Sequence, residues 1–136
     1  MDVAMVNGFD CTKFTGSCLK LLFVPQSWDD AAAVCESLNS RLVMVDDITE
    51  NNILQKLLTD NGMSAVWLGV SDVDHEGFMV DIDGEELGYQ NFYYSQPDDG
   101  SKCVTHDCVI MSGSLGYQWD DILCSSLQYA CCEIIV

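Results

Sequence analysis

The chain has 136 residues, 49% of them hydrophobic and 20% charged, with 22 acidic residues against 5 Lys and Arg and a formal net charge of -17. That length suits one domain with its own hydrophobic core, and that composition rules against a disordered chain. Phosphate binding needs clustered Lys and Arg, so the charge rules against nucleic acid and against an anionic membrane surface as partners.

Taken in order, Phe14 to Val24 is apolar and reads as an early strand. Ser27 opens a helix, with Asp30 three residues on in a near capping box. Trp28, Ala31, Ala32, Cys35 and Leu38 fall on one face at helical spacing. A second helix is expected from about Thr49 to Asn61, with Ile53, Leu54, Leu57 and Leu58 on its inner face and Gly62 where a C-terminal glycine cap belongs. The pattern then changes to strands and loops. Val66 to Val70 is a short apolar run of buried-strand type, and Phe78 to Ile82 alternates into an Asp83-Gly84 turn. Leu87 to Lys102 is rich in Tyr, Asn, Asp, Ser and Gly without a period. A long irregular loop of that kind inside a compact domain is usually functional. Cys108 to Met111 and Tyr129 to Val136 read as closing strands. A strand, two helices and then strands make the class α+β. Nothing marks a domain boundary, so residues 1–136 are read as a single domain.

Two runs stand out for chemistry: Gln96-Pro97-Asp98-Asp99, and Trp119-Asp120-Asp121 just before Cys124. Each offers several side-chain oxygens within a few residues. Ca²⁺ takes about six to eight oxygen ligands in flexible geometry, and clustered Asp and Gln supply them. Between Val70 and Asp121 there are twelve acidic residues and one basic residue, Lys102. A solvated surface accounts for part of that excess and a cation site for the rest. The 8 cysteines point to an oxidising compartment and disulfides. They offer no pair of C-x-x-C hooks for structural zinc. No stretch reaches the roughly 18 apolar residues of a membrane span. Met1 to Asp10 lacks a basic region followed by an apolar core, so no signal peptide is read in the chain as written, and it is expected to be a mature or recombinant form of a secreted protein.

This layout resembles a C-type lectin-like domain from about Cys11 to Glu133. The residues that carry the resemblance are Phe14, Cys18, Ser27-Trp28, Ala31, Cys35, Glu50-Asn51, Trp67-Leu68-Gly69-Val70 and Glu76-Gly77. To these are added Gln96-Pro97-Asp98, Asp107-Cys108-Val109, Trp119-Asp120-Asp121, Cys124 and Cys132-Glu133. The resemblance implies two helices packed on small antiparallel sheets, stapled by disulfides, with a long calcium-binding loop. It makes Trp67 to Gly69, Trp28 and the helix leucines packing residues. It also implies bridges Cys35–Cys132 and Cys108–Cys124. Cys11, Cys18, Cys103 and Cys131 then have three pairings open. A short Cys11–Cys18 bridge is favoured, with Cys103–Cys131 as the remainder; an unpaired Cys103 could instead join two subunits as a homodimer.

The same resemblance implies a sugar-site Ca²⁺ held by Gln96, Asp98, Asp120 and Asp121, with Trp119 as the anchor beneath and Pro97 in cis. The family usually has Asn at Asp120 and Glu at His106, and these two departures leave the formal charge of the set unchanged. Imidazole is a poor ligand for so hard an ion, so His106 is expected to face solvent beside the sugar rather than to coordinate. Gln-Pro-Asp goes in the family with galactose-type hydroxyls, because exchanging amide and acid swaps donors and acceptors around the ion. Expected sugar contacts are Gln96, Asp98, Asp120, His106 and a ring from Tyr117, with Tyr93 or Tyr94 behind it. Asp72, Glu76, Asp99 and Asp107 match a second, auxiliary Ca²⁺ site that would stiffen the loop. The expected function is a secreted, calcium-dependent lectin for galactose or N-acetylgalactosamine. The competing reading is the same fold binding a protein, mineral or ice surface. Catalysis is not expected, since His75 and His106 sit in no nucleophile motif.

Overall fold

The computed structural model describes residues 5–6, 8–14, 16–72, 79–92 and 107–135, without the side chains of Met5, Val6 and Asp107. After the short β1 (Met5–Val6), β2 (Phe9–Phe14) turns back at Gly16, whose φ of 85° suits glycine, into β3 (Ser17–Gln26). Phe14 therefore ends one strand instead of opening the next. In α1 (Trp28–Ser37) the Ser27 side chain accepts a hydrogen bond from the Asp30 N–H, as the capping pattern implies. Trp28, Ala31 and Cys35 are buried, but Leu38 is the exposed C-cap. The helix ends at Ser37, one residue short of keeping Leu38 on its inner face. After β4 (Arg41–Leu42), α2 (Ile48–Asp60) starts one residue earlier than expected, capped by Asp47, and ends at Asn61 with Gly62 at φ 68°.

The rest of the chain is β5 (Ala65–Ser71), β6 (Val80–Asp81), β7 (Asp107–Ser112), β8 (Gln118–Leu123) and β9 (Gln128–Ile135). β8 is a strand the sequence reading missed. Two adjacent aspartates lower strand propensity, and pairing with β7 along its whole length overrides that.

Among the described residues the strands join in one nine-stranded sheet, ordered β1-β2-β3-β9-β5-β7-β8, with β4 on β9 and β6 on β5. The joint is a parallel pairing of β5 with β9 through Val66–Tyr129 and Trp67–Ala130. Every residue of β5 is buried, and its alternation divides the core. Val66, Leu68 and Val70 face α2 with Leu54 and Leu58, while Trp67 faces α1 with Trp28, Ala31 and Cys35. A strand buried on both faces reads as a continuous apolar run, as this one does. The Trp28 indole N–H donates to the Leu68 carbonyl and the Trp67 indole N–H donates to the Gln26 carbonyl, both at 2.9 Å. Both rings are therefore satisfied core residues.

Among the described residues the bridges are Cys11–Cys18, Cys35–Cys132 and Cys108–Cys124. Cys131 is a free, fully buried thiol, so the expected Cys103–Cys131 bridge is not formed. Strand alternation explains the choice. Cys132 points to the α1 side, where Cys35 waits, and Cys131 points into the α2 side among Leu19, Val43 and Val66. Burial, and secondarily the Glu133 carboxylate, push the Cys131 thiol well above its ordinary value. Cys103 lies outside the described residues.

β5 lies close against β4 at Gly69. A Cβ added at Gly69 would lie 2.9 Å from the Leu42 carbonyl oxygen and 3.1 Å from the Met44 sulfur. Gly69→Ala is expected to cost about 1–3 kcal/mol of stability, read as a lower midpoint in urea unfolding. An unchanged midpoint would show that β4 yields freely.

Candidate functional site

The described part of the site is built on Trp119, which is fully buried in β8. Its indole N–H donates to the Asn51 side-chain oxygen of α2 at 3.0 Å. Its ring is met edge-on by Tyr89, at a centroid distance of 5.9 Å, and by Phe92 at 5.4 Å. Its backbone N–H donates to the Asn91 carbonyl at 2.8 Å, and Phe92 forms a parallel bridge with it. Residues 91 and 92 thus lie along the outer edge of the last strand of the sheet.

Asp120 and Asp121 follow. Successive side chains of a strand point to opposite faces, so adjacency alone does not put both carboxylates on one side. Asp121 shares the face of Trp119, opposite Val109, and is only 8% exposed. Asp120, opposite Ile110, is half-buried on the other face. Both can serve one ion only from beyond the strand edge. On the inner edge, Asp107 pairs with Leu123, and Cys108–Cys124 ties the two strands at that end. The segment that carries Gln96, Asp98, Asp99, Cys103 and His106, with Tyr93 and Tyr94, therefore begins beside Trp119 and ends beside Leu123. Those residues themselves lie outside the described ones.

Of the auxiliary set, Asp72 is 2% exposed at the end of β5. Ser71 pairs with Cys108 in antiparallel register, which brings Asp72 level with the backbone of Asp107. Glu76 lies outside the described residues. Among the described residues, no three His, Cys, Asp or Glu side chains gather as a metal centre. Tyr117 has a left-handed backbone, φ 65°. Its half-buried ring packs so near Gly113 that a Cβ there would lie 3.2 Å from the ring. It is three residues from Asp120, about 10 Å along a strand.

The sequence reading missed Asn51, Tyr89 and Phe92 as holders of Trp119. Asn51 had a signal: it stands at i, i+3, i+7 spacing with Leu54 and Leu58, a polar residue in an apolar stripe. Around it the helix start is acidic. The Asp47 side chain accepts from the Glu50 N–H at 2.8 Å, and Glu50 accepts in turn from the Asp46 N–H at 2.9 Å. Burial raises the Glu50 carboxyl above its ordinary value; the Asp46 N–H opposes this, and the charges of Asp46, Asp47 and Glu133 add to it.

The family model for the Lectin C-type domain matches residues 24–134. CD209 antigen-like protein C of Mus musculus is 28% identical over 125 residues, covering 92% of this chain and 67% of its own length. The low affinity immunoglobulin epsilon Fc receptor of Mus musculus is 33% identical over 116 residues, covering 80% of this chain. The chain spans between 28% and 33% of the length of that receptor and several other curated relatives. Among solved structures, the mouse scavenger receptor C-type lectin carbohydrate-recognition domain superposes with a TM-score of 0.79 at 26% identity, over 90% of this chain and 92% of that one. A calcium-independent type II antifreeze protein superposes with a TM-score of 0.83 at 21% identity, over 96% of this chain and 94% of that one; this likeness carries the fold alone. No enzyme family is among these. No described helix is long and apolar enough to cross a membrane.

The Glu50 carboxyl gives a pH test of this geometry. A raised acid favours its protonated form in the folded state. Its contribution to stability is fully present below the unfolded value of about 4.3 and is lost as pH rises through the folded value. Glu50→Gln keeps an acceptor for the Asp46 N–H and removes the charge. It is expected to raise the unfolding midpoint over wild type at pH 7, with the gap closing below about pH 4. A gap of the same size at both pH values would contradict the assignment.

Proposed function

This chain belongs to the C-type lectin domain family, and from that premise we propose that it is a calcium-dependent lectin for galactose-type sugars. The observation that carries the reading is the placement of Asp120 and Asp121 between the two ends of the segment that holds Gln96 and Asp98. Gln96 is the fourth residue after Phe92, and four steps of chain span at most about 14 Å. Gln96 is therefore tethered within reach of β8. The donor chemistry fits Ca²⁺: carboxylates from Asp98, Asp120 and Asp121 and an amide oxygen from Gln96 are hard ligands, and none is a thiolate or imidazole.

When bound, the ion would accept two neighbouring hydroxyls of a sugar at its free positions. Gln96, Asp98 and Asp120 would hydrogen-bond to the same hydroxyls, and the amide-then-acid order would favour the galactose arrangement. Asp72, Glu76, Asp99 and Asp107 would hold an auxiliary ion that stiffens the segment, and the register that brings Asp72 to Asp107 supports this. His106 would face the sugar without binding the ion. Secretion, and a subunit link through Cys103, belong to the same reading. So does the extracellular site of action, which the three disulfides support.

A second reading keeps the fold and drops the sugar in favour of a protein, mineral or ice surface. The packing of Tyr117 against Gly113 favours it, because that ring is then occupied in the core and not free to stack on a sugar.

Retention on galactose-agarose decides between them. The lectin reading predicts retention in Ca²⁺, elution by EDTA, and at least about tenfold weaker binding for Asp121→Asn, which gives up a charge-assisted partner. Passage straight through the column in Ca²⁺, or retention that EDTA leaves intact, would overturn it.

A further inference from the structure

We propose that Asn51 is a positioning residue for the calcium and sugar site, acting through Trp119; the proposal rests on the lectin reading above. Asn51 lies on α2, is 2% exposed, and touches neither aspartate run in sequence. Its amide oxygen accepts the Trp119 indole N–H at 3.0 Å inside the core. A buried donor left without a partner is costly, so this bond selects one orientation of the indole. That orientation does two things at once. It presents the ring to Tyr89 and Phe92, which meet it at interplanar angles of 76° and 77°. It also fixes the residue whose backbone N–H holds Asn91.

Asp120 and Asp121 are the next two residues of the same strand, and the segment with Gln96 and Asp98 departs from Phe92. One side-chain hydrogen bond from α2 therefore governs how Asp120 and Asp121 stand against residues 91 and 92, from which the chain goes on to the other run. A ligand set displaced by about an ångström loses much of its effect. Without the Asn51 acceptor the buried indole N–H is left unpaired and only packing against Tyr89 and Phe92 holds the ring, so β8 and residues 91–92 can shift against each other.

The test compares wild type with Asn51→Leu, Asn51→Asp and the pair Asn51→Leu with Trp119→Phe, using two readouts on the folded chain. The first is amide hydrogen exchange at Trp119, Asp120 and Asp121 relative to Leu19 to Leu21 in the distant β3. The second is Ca²⁺ affinity by calorimetry. Asn51→Leu is expected to speed exchange in β8 about tenfold more than in β3 and to weaken Ca²⁺ about tenfold. Asn51→Asp keeps an acceptor oxygen and is expected to leave the ratio of β8 to β3 exchange near wild type, whatever it does to global stability. The pair removes donor and acceptor together and is expected to recover part of that ratio. Equal acceleration in β8 and β3 with Ca²⁺ affinity unchanged would overturn the proposal and leave Asn51 a core hydrogen bond. A wild-type chain that takes no Ca²⁺ overturns the lectin reading, and the exchange ratio then decides the positioning role by itself.

Discussion

The hydrogen bond from the Trp119 indole to Asn51 is the constraint on which the site end of the molecule depends. A large ring at the last strand of a sheet would ordinarily be half-solvated. Here α2 supplies the acceptor, residues 89–92 supply two aromatic edges, and the ring becomes core. Net worth for one buried hydrogen bond is only about 1 kcal/mol, but leaving the donor unmet costs more. The bond therefore acts chiefly by excluding other arrangements. Residues 91 and 92 cover the outer edge of β8 beside Trp119, where an open row of backbone groups would invite mispairing.

Behind this end, β5 ties the halves of the chain together. It is buried on both faces, antiparallel to β7 and parallel to β9, so one strand joins the early hairpin and its helices to the late hairpin that carries the aspartates. The disulfides reinforce the same joints. Cys35–Cys132 closes a separation of 97 residues from α1 to β9, and Cys108–Cys124 closes 16 around β8. Long loops lose the most unfolded-state entropy on closure. The Arg41 guanidinium adds an ion pair at 2.9 Å to Asp83 in the β6 turn and a longer contact to the buried Glu133 of β9. The frame is thus set from several directions before the 93–106 segment begins.

Much of this was readable from residues alone, and the exceptions have physical reasons. α1 and α2 follow from their caps and apolar spacing, and β5 from an apolar run of strand length. Its parallel pairing with β9 was not readable, because such a pairing depends on which distant strand covers a buried edge. β8 was hidden because its two carboxylates look like loop chemistry; only the ladder with β7 makes it a strand. For cysteines, spacing left three pairings open, and the alternation of β9 separated Cys131 from Cys132. At the site, the sequence identified Trp119 as an anchor but not what anchors it. Asn51, Tyr89 and Phe92 come from three places in the chain that only the fold brings together.

The most direct measurement is a crystal structure of the chain grown with Ca²⁺ and galactose. The account predicts one ion at the outer edge of β8, bound by Gln96, Asp98, Asp120 and Asp121, with two sugar hydroxyls completing its shell. An ion held elsewhere, or a sugar bound without any ion, would contradict it.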